Sequence, residues 1–262
     1  VFTSATLSIA GNFTDIKEDL ALDSEKVIEE ILPSPFNYSK QCKVLVPKDI
    51  PSPKGADSLY SPFIQHALPF VFDLISMAQG GVFVLCTSFT QIKLLKEYLV
   101  KNHCPYPLLV HGELSRTLML DQFKSLSNAV LLGTDSFWEG VDIQGDALRM
   151  VILFKLPFRP PSDPVTEATH EALKKRGENP FLKVEVPDAV IRFKQGFGRL
   201  IRSKEDKGIV AILDNRVMEQ PYGRTFVNSL PIKAEEIFYS QTPHLLKEAH
   251  SFFINVSRET KK

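Results

Sequence analysis

Six short apolar runs punctuate the chain: KVLV at 43–46, GVFVLC at 81–86, YPLLVH at 106–111, AVLLGT at 129–134, RMVILF at 149–154 and GIVAIL at 208–213. They are rich in Val, Ile and Leu and do not alternate strictly between apolar and polar, which is how strands buried on both faces read. Between them, apolar positions recur at helical spacing over 61–78, 91–101, 118–126, 163–177 and 188–201. Strands alternating with helices of this length predict a parallel sheet with right-handed crossover connections. The expected fold is a doubly wound α/β domain from about residue 40 to the end.

The first forty residues are less regular. The pattern suggests a short helix at 15–21, another short element at 27–31 and a turn-rich break at LPSPF, 32–36. VPKDIPSPKGAD, 46–57, is expected to be a loop because of its prolines. KLPFRPPSDP, 155–164, follows a strand, where the C-terminal edge of a parallel sheet presents its ligand loops. The opening VFTSATLS has no initiator methionine, and Val1-Phe2 reads as the tail of a strand, so the sequence is expected to be a piece of something longer.

Composition narrows the class. Apolar residues make up 44% and charged residues 24% of the 262, with 31 Lys plus Arg against 31 Asp plus Glu. Balanced charge means no global field toward nucleic acid, so any phosphate binding must come from local clusters. Cys42, Cys86 and Cys104 are widely spaced, without a C-x-x-C, and the 6 histidines are scattered. The expectation is reduced, mostly buried thiols and no metal site. Neither a leader nor a run of 18 apolar residues is present, and a soluble, cytoplasmic protein without membrane contact is expected.

Three stretches could supply chemistry. In QGFGRLIRS, 195–203, a helix continuing through the motif would put Arg199 and Arg202 on one face, with Gln195 one turn before Arg199. Guanidinium forks suit phosphoryl oxygens, and an arginine meeting a γ-phosphate stabilises transition-state charge. A solvated helix end with arginines near the C-terminal dipole is the plainer reading. Gly196 and Gly198 argue against it, since glycine weakens a helix unless close approach demands it.

In LLGTDSFWEGVDIQG, 131–145, a buried strand runs into a polar turn presenting Thr134, Asp135 and Ser136, then Trp138, Glu139, Gly140 and Asp142. Such a loop offers hydroxyls and amides to nucleic-acid phosphate and a carboxylate to a ribose. Trp138 either stacks on a base or packs against its own domain. In CTSFTQIK, 86–93, Thr87 or Ser88 can cap a helix whose first amides can also take a phosphate. His111 ends another strand with no Ser or Cys partner at recognisable spacing, and reads as a loop or core-edge histidine. There is no G-x-x-x-x-G-K-S/T loop to hold a triphosphate.

Taken together, these motifs resemble the C-terminal helicase domain of superfamily two, in particular the bacterial DinG proteins and their XPD-like relatives. QGFGRLIR matches the family's last motif, Q-x-x-G-R-x-I-R; GTDSFWEGVDIQG is similar to its fifth, VLCTS to its fourth, and TSATLS, 3–8, to its third, which closes the first RecA-like domain. KLPFRPPSDPV, KGIVAILDNRV and YGRTFVNSLP are similar as well. The resemblance implies a RecA-like second motor domain over 41–262, preceded at 1–40 by the end of the first motor domain and a linker.

It further implies an ATP-driven motor on single-stranded DNA, moving 5′ to 3′. Arg199 and Arg202 would reach the γ-phosphate, Arg202 foremost, with Gln195 positioning the nucleotide. Glu139, Gly140, Asp142 and Gly198 would serve the nucleotide side, and Thr87, Ser88, Thr134 and Asp135 the DNA backbone. Thr3, Ser4 and Thr6 would couple hydrolysis to strand movement. ATP and Mg2+ would be held mainly by an N-terminal motor domain absent from this chain, and no iron–sulphur cluster is expected in this segment. Some relatives carry an exonuclease domain instead. A second reading is a phosphate-gripping module that is not a motor; a third is a small-molecule enzyme using Asp135, His111 or Glu139, without a nucleophile and base to support it.

Overall fold

The structure, a computed structural model, describes residues 1–138, 147–159 and 164–259. Seven parallel strands form one sheet: β1 (Cys42–Pro47), β2 (Val82–Leu85), β3 (Leu108–Val110), β4 (Val130–Gly133), β5 (Met150–Leu153), β6 (Gly208–Ile212) and β7 (Ile237–Ser240), in the order β3-β4-β2-β5-β6-β1-β7. The expected strands are all present. β7 was not anticipated: it is an edge strand with a partly exposed IFYS sequence, so it lacks the apolar run that double-sided burial imposes.

Helices close both faces. The helices α1 (Thr14–Asp19) and α2 (Tyr38–Gln41) precede the sheet. One face is covered by α3 (Pro62–Ala78), α4 (Phe89–Lys101) and α10 (Thr242–Glu259), packing Phe63, Leu74, Leu95 and Leu245 onto Leu45, Val84, Ile152 and Ala211. The other carries α5 (Arg116–Leu126), α7 (Val186–Phe197) and α9 (Gly223–Asn228), with Phe123, Phe193 and Phe226 over Phe83, Val151 and Val210. This is the doubly wound, RecA-like arrangement. The amphipathic α10 and the short α8 (Arg216–Glu219) and α9 were not anticipated, because polar residues break up their apolar spacing. α6 (Pro164–Lys175) agrees with the expected pattern.

α1 overlaps the expected 15–21 region, starting one residue before it, but 27–31 forms neither helix nor strand and directly follows a single 3-10 turn, Ser24–Lys26. Ile28 and Leu32 are 96% and 75% exposed, whereas Ile9 is buried with the α7 face. The turn from α3 into β2 depends on Gly80, at φ +73, where a Cβ would fall 1.9 Å from the Asn128 carbonyl oxygen. Cys42 and Cys86 are buried, and burial pushes the Cys42 thiol up to about 12, so both are packing residues.

At the C-terminal ends of β5 and β6, one carboxylate fastens two loops. Asp214 is fully buried; its Oδ2 accepts from the Leu156 amide at 3.0 Å and from Arg216 Nη2 at 2.6 Å, while Oδ1 accepts from Arg216 Nε at 2.8 Å. The Arg216 guanidinium lies 5.6 Å from the centre of the Phe158 ring, in the loop after β5. Removing the carboxylate would strand a largely buried charge and a buried amide together. Asp214→Ala is therefore expected to cost roughly 3–5 kcal/mol in urea unfolding; a loss below about 1 kcal/mol would show that the staple is idle.

Candidate functional site

The arginine motif begins inside α7. Its Ala189, Val190, Phe193 and Phe197 are buried, and a π-helical turn, Phe181–Glu185, leads into it. The helix ends at Phe197 rather than continuing to 201. Gly198 is the exposed C-cap, its amide bonded to the Lys194 carbonyl at 2.9 Å. Leu200 and Ile201 then turn inward, each 3% exposed. The next two amides, Arg202 and Ser203, both donate to Asp206 Oδ2, at 2.8 and 2.7 Å. Gln41 Nε2 holds the same loop by donating to the carbonyls of Ser203 and Asp206. Arg199 and Arg202 thus follow one another in a capped loop instead of sharing a helical face. The cause is the pull of two apolar side chains into the core and a carboxylate that captures the freed amides.

Gly196 has a different explanation. A Cβ there would fall 2.6 Å from Cε3 of Trp138, so the indole lies against bare backbone. Trp138 is 1% exposed, which excludes base stacking and establishes the packing alternative. Its Nε1 donates to the Cys86 carbonyl at 3.3 Å, and its own carbonyl accepts from Arg199 Nε at 2.9 Å.

Beside this lies Gln195, whose Oε1 is buried with no hydrogen-bond partner among the described residues. The preceding residue, Lys194, donates to the Ser8 carbonyl at 2.7 Å, and burial holds its ammonium pKa below the usual value. The TSATLS stretch is thereby tied to α7. The Ala10 amide adds a bond to Ser229 Oγ. Thr3 and Ser4 are exposed, and the hydroxyls of Ser4 and Thr6 lie 3.1 Å apart.

The second cluster occupies neighbouring strand ends, since β2 and β4 pair with Leu85 opposite Gly133. Ser88 caps α4 by accepting from the Gln91 amide at 3.2 Å, and donates to Asp57. The Thr87 amide and hydroxyl both meet Gln91 Oε1. Thr134 is 6% exposed, and its hydroxyl shares a hydrogen bond with His111 Nδ1 at 2.8 Å. The His111 ring lies between Phe89 and Phe137, at 4.9 and 5.0 Å, as a core-edge histidine would. Next to it, a cleft of about 670 Å3 runs between α4 and the turn after β3, edged by the exposed Phe89 and by Lys93. Asp135 opens a 3-10 turn, Asp135–Phe137. Glu139, Gly140 and Asp142 lie outside the described residues.

With both clusters in view, the comparison with known proteins is decisive. The family described as "Helicase C-terminal domain" matches residues 71–233. The chain belongs to this family. This helicase C-terminal domain is 42% identical over 232 residues to "ATP-dependent DNA helicase YoaA" of Haemophilus influenzae, covering 88% of the chain and 35% of that protein. To "3'-5' exonuclease DinG" of Bacillus subtilis it is 38% identical over 235 residues, covering 88% and 25%. Among solved structures, S. tokodaii Xpd4 aligns at a TM-score of 0.52 and 16% identity over 83% of the chain and 42% of its own, a likeness of fold alone. The helicase domain thus spans about a third of the length of its YoaA relative.

Several residues that build the site were not singled out from the sequence. Asp57 lies in a proline-rich loop distant along the chain from Ser88, and Lys194 meets Ser8 across the fold, so neither contact has a local signal. Asp206 does have one: SKED is a polar run in which Ser203 Oγ also accepts from the Asp206 amide, the mark of a turn. The helicase domain has no described helix long and apolar enough to cross a membrane. Asp206→Ala is expected to accelerate amide hydrogen exchange at 202 and 203 and to cost about 1–3 kcal/mol, because two half-buried donors lose their acceptor. Unchanged exchange at both amides would remove Asp206 from the account.

Proposed function

We propose that this chain is the second motor domain of an ATP-dependent DNA helicase, completing an ATP site held mainly by another RecA-like domain of the same protein and gripping single-stranded DNA at its own strand ends. The observation that supports this most is the end of α7, where Gln195 keeps a buried acceptor unpartnered among the described residues beside an exposed, side-chain-free Gly198. Gln91 and Asn215 also keep buried polar atoms without a partner among the described residues, but Gln195 is the one of these three that lies in the arginine motif. A sugar hydroxyl or base amino group of a nucleotide presented from outside would donate to it, while Arg199 and Arg202, following in the capped loop, suit the phosphoryl oxygens, which only accept.

When bound, ATP with Mg2+ supplies the free energy through its phosphoryl groups. This chain's own residues have separable tasks. Gln195 and the open backbone at Gly198 orient, and Arg202 presents a guanidinium to charge that develops on the phosphoryl oxygens. Arg199, anchored to the Trp138 carbonyl, sets the depth of that approach. Glu139, Gly140 and Asp142 are assigned to the same nucleotide side by motif. Thr87 and Ser88, with Thr134 and Asp135 on the adjacent strand end, are assigned to the DNA backbone; Thr134 would have to exchange its bond to His111 for one to phosphate. Thr3, Ser4 and Thr6 are assigned to coupling, near the Lys194–Ser8 tie.

A phosphate-gripping module that never turns over, as part of an exonuclease-type protein, is the second reading, favoured by the 38% identity to a relative named as an exonuclease. The two differ in what Arg202 is for. In the intact protein, Arg202→Ala is expected to leave single-stranded DNA affinity within about threefold while cutting ATP turnover by roughly a thousandfold or more. Unchanged turnover would transfer the argument to the gripping module.

A further inference from the structure

We infer that Trp138 is the positioning residue through which DNA occupancy at the strand ends reaches Arg199, an inference that rests on the motor reading above. Three contacts of one side chain and its carbonyl define it. The indole Nε1 holds the Cys86 carbonyl, immediately before Thr87 and Ser88. The ring lies on the bare backbone of Gly196, immediately after Gln195. The carbonyl holds Arg199 Nε. Among these contacts, the end of β2, the turn after β4 and the end of α7 are joined by a single residue.

The geometry makes this joint stiff. Trp138 is 1% exposed, with no room to pivot toward solvent, and the missing side chain at Gly196 lets the ring approach closer than any other residue would permit. A shift of the Cys86 peptide, as its neighbours close on a phosphate, pulls on the indole. The indole cannot move without moving either the α7 backbone beneath it or its own carbonyl. Both displacements arrive at Arg199. A coupling path needs an element that both sites bias, and here it is one rigid, doubly anchored ring.

Trp138 is assigned contact with neither nucleotide nor DNA, so its variants should separate stimulation from its components. Trp138→Phe keeps an aromatic ring but deletes the bond to Cys86; Gly196→Ala keeps the bond donor but forces the ring off the backbone. The test is steady-state ATP hydrolysis by the intact protein against oligothymidylate concentration, for wild type and for each variant. The expected result is a DNA stimulation factor reduced about tenfold, equivalent to about 1.4 kcal/mol or one net hydrogen bond, in both variants. DNA affinity should be retained, and unstimulated turnover should fall by clearly less than stimulated turnover, so that their ratio drops.

The chain holds a single tryptophan, which adds a spectroscopic reading. With 5-fluorotryptophan, this chain gives one fluorine resonance, expected to move in Gly196→Ala. Retained stimulation in both variants overturns the inference, as does a parallel fall of unstimulated and stimulated turnover, which would make Trp138 a mere support for Arg199. A wild-type protein that binds oligothymidylate without any stimulation overturns the motor reading itself and takes this inference with it, and it is recognised before any variant is compared.

Discussion

An indole packed flat against a glycine is the constraint on which the rest of the site depends. Trp138 can occupy its place only because Gly196 has no side chain, and Gly196 lies in the last turn of a helix that also buries Val190, Phe193 and Phe197. The cost of glycine in a helix, about 1 kcal/mol, is offset by a contact that brings α7 onto the sheet and seats the ring under the end of β2. From that seat follow the bond to Cys86 and the anchoring of Arg199. A bulkier residue at 196 would push the indole off α7.

The sheet supplies the frame for this contact. Because its strands are all parallel, Thr87 and Thr134 leave it at the same edge, on neighbours paired Leu85 to Gly133. Asp214 fastens the next two strand ends at that edge, β5 and β6, and the aromatic cluster of Phe158, Phe181, Tyr222 and Phe226 fills the space behind them. The arginine loop is fixed independently, by Asp206 and Gln41, near the opposite ends of β6 and β1. Two rigid regions joined by one buried side chain is an arrangement suited to passing a displacement rather than absorbing it.

Most of the sheet was legible because double-sided burial leaves an unmistakable mark on sequence: runs such as VFVL and MVILF have no polar positions to confuse the reading. β7 escaped because an edge strand needs no such run. The motif residues Gln195, Arg199 and Arg202 were legible as a set, but their geometry was not, since helical spacing through 201 gave no hint that Leu200 and Ile201 would turn into the core. Trp138 presented two options, stacking or packing, and only its contact with Gly196, distant in the chain, decides between them. The Lys194–Ser8 and Ser88–Asp57 contacts belong to the tertiary fold alone.

The proposed composite site requires the loop from Gln195 to Arg202 to meet a nucleotide held by another domain. The direct measurement is hydrogen exchange on the intact protein and on this chain alone, each with and without a non-hydrolysable ATP analogue and Mg2+. Protection of 195–203 and of 3–8 in the intact protein, with no change in the isolated chain, is the predicted result. An analogue that binds the intact protein without protecting 195–203, or one that protects this loop equally in the isolated chain, would contradict the composite site.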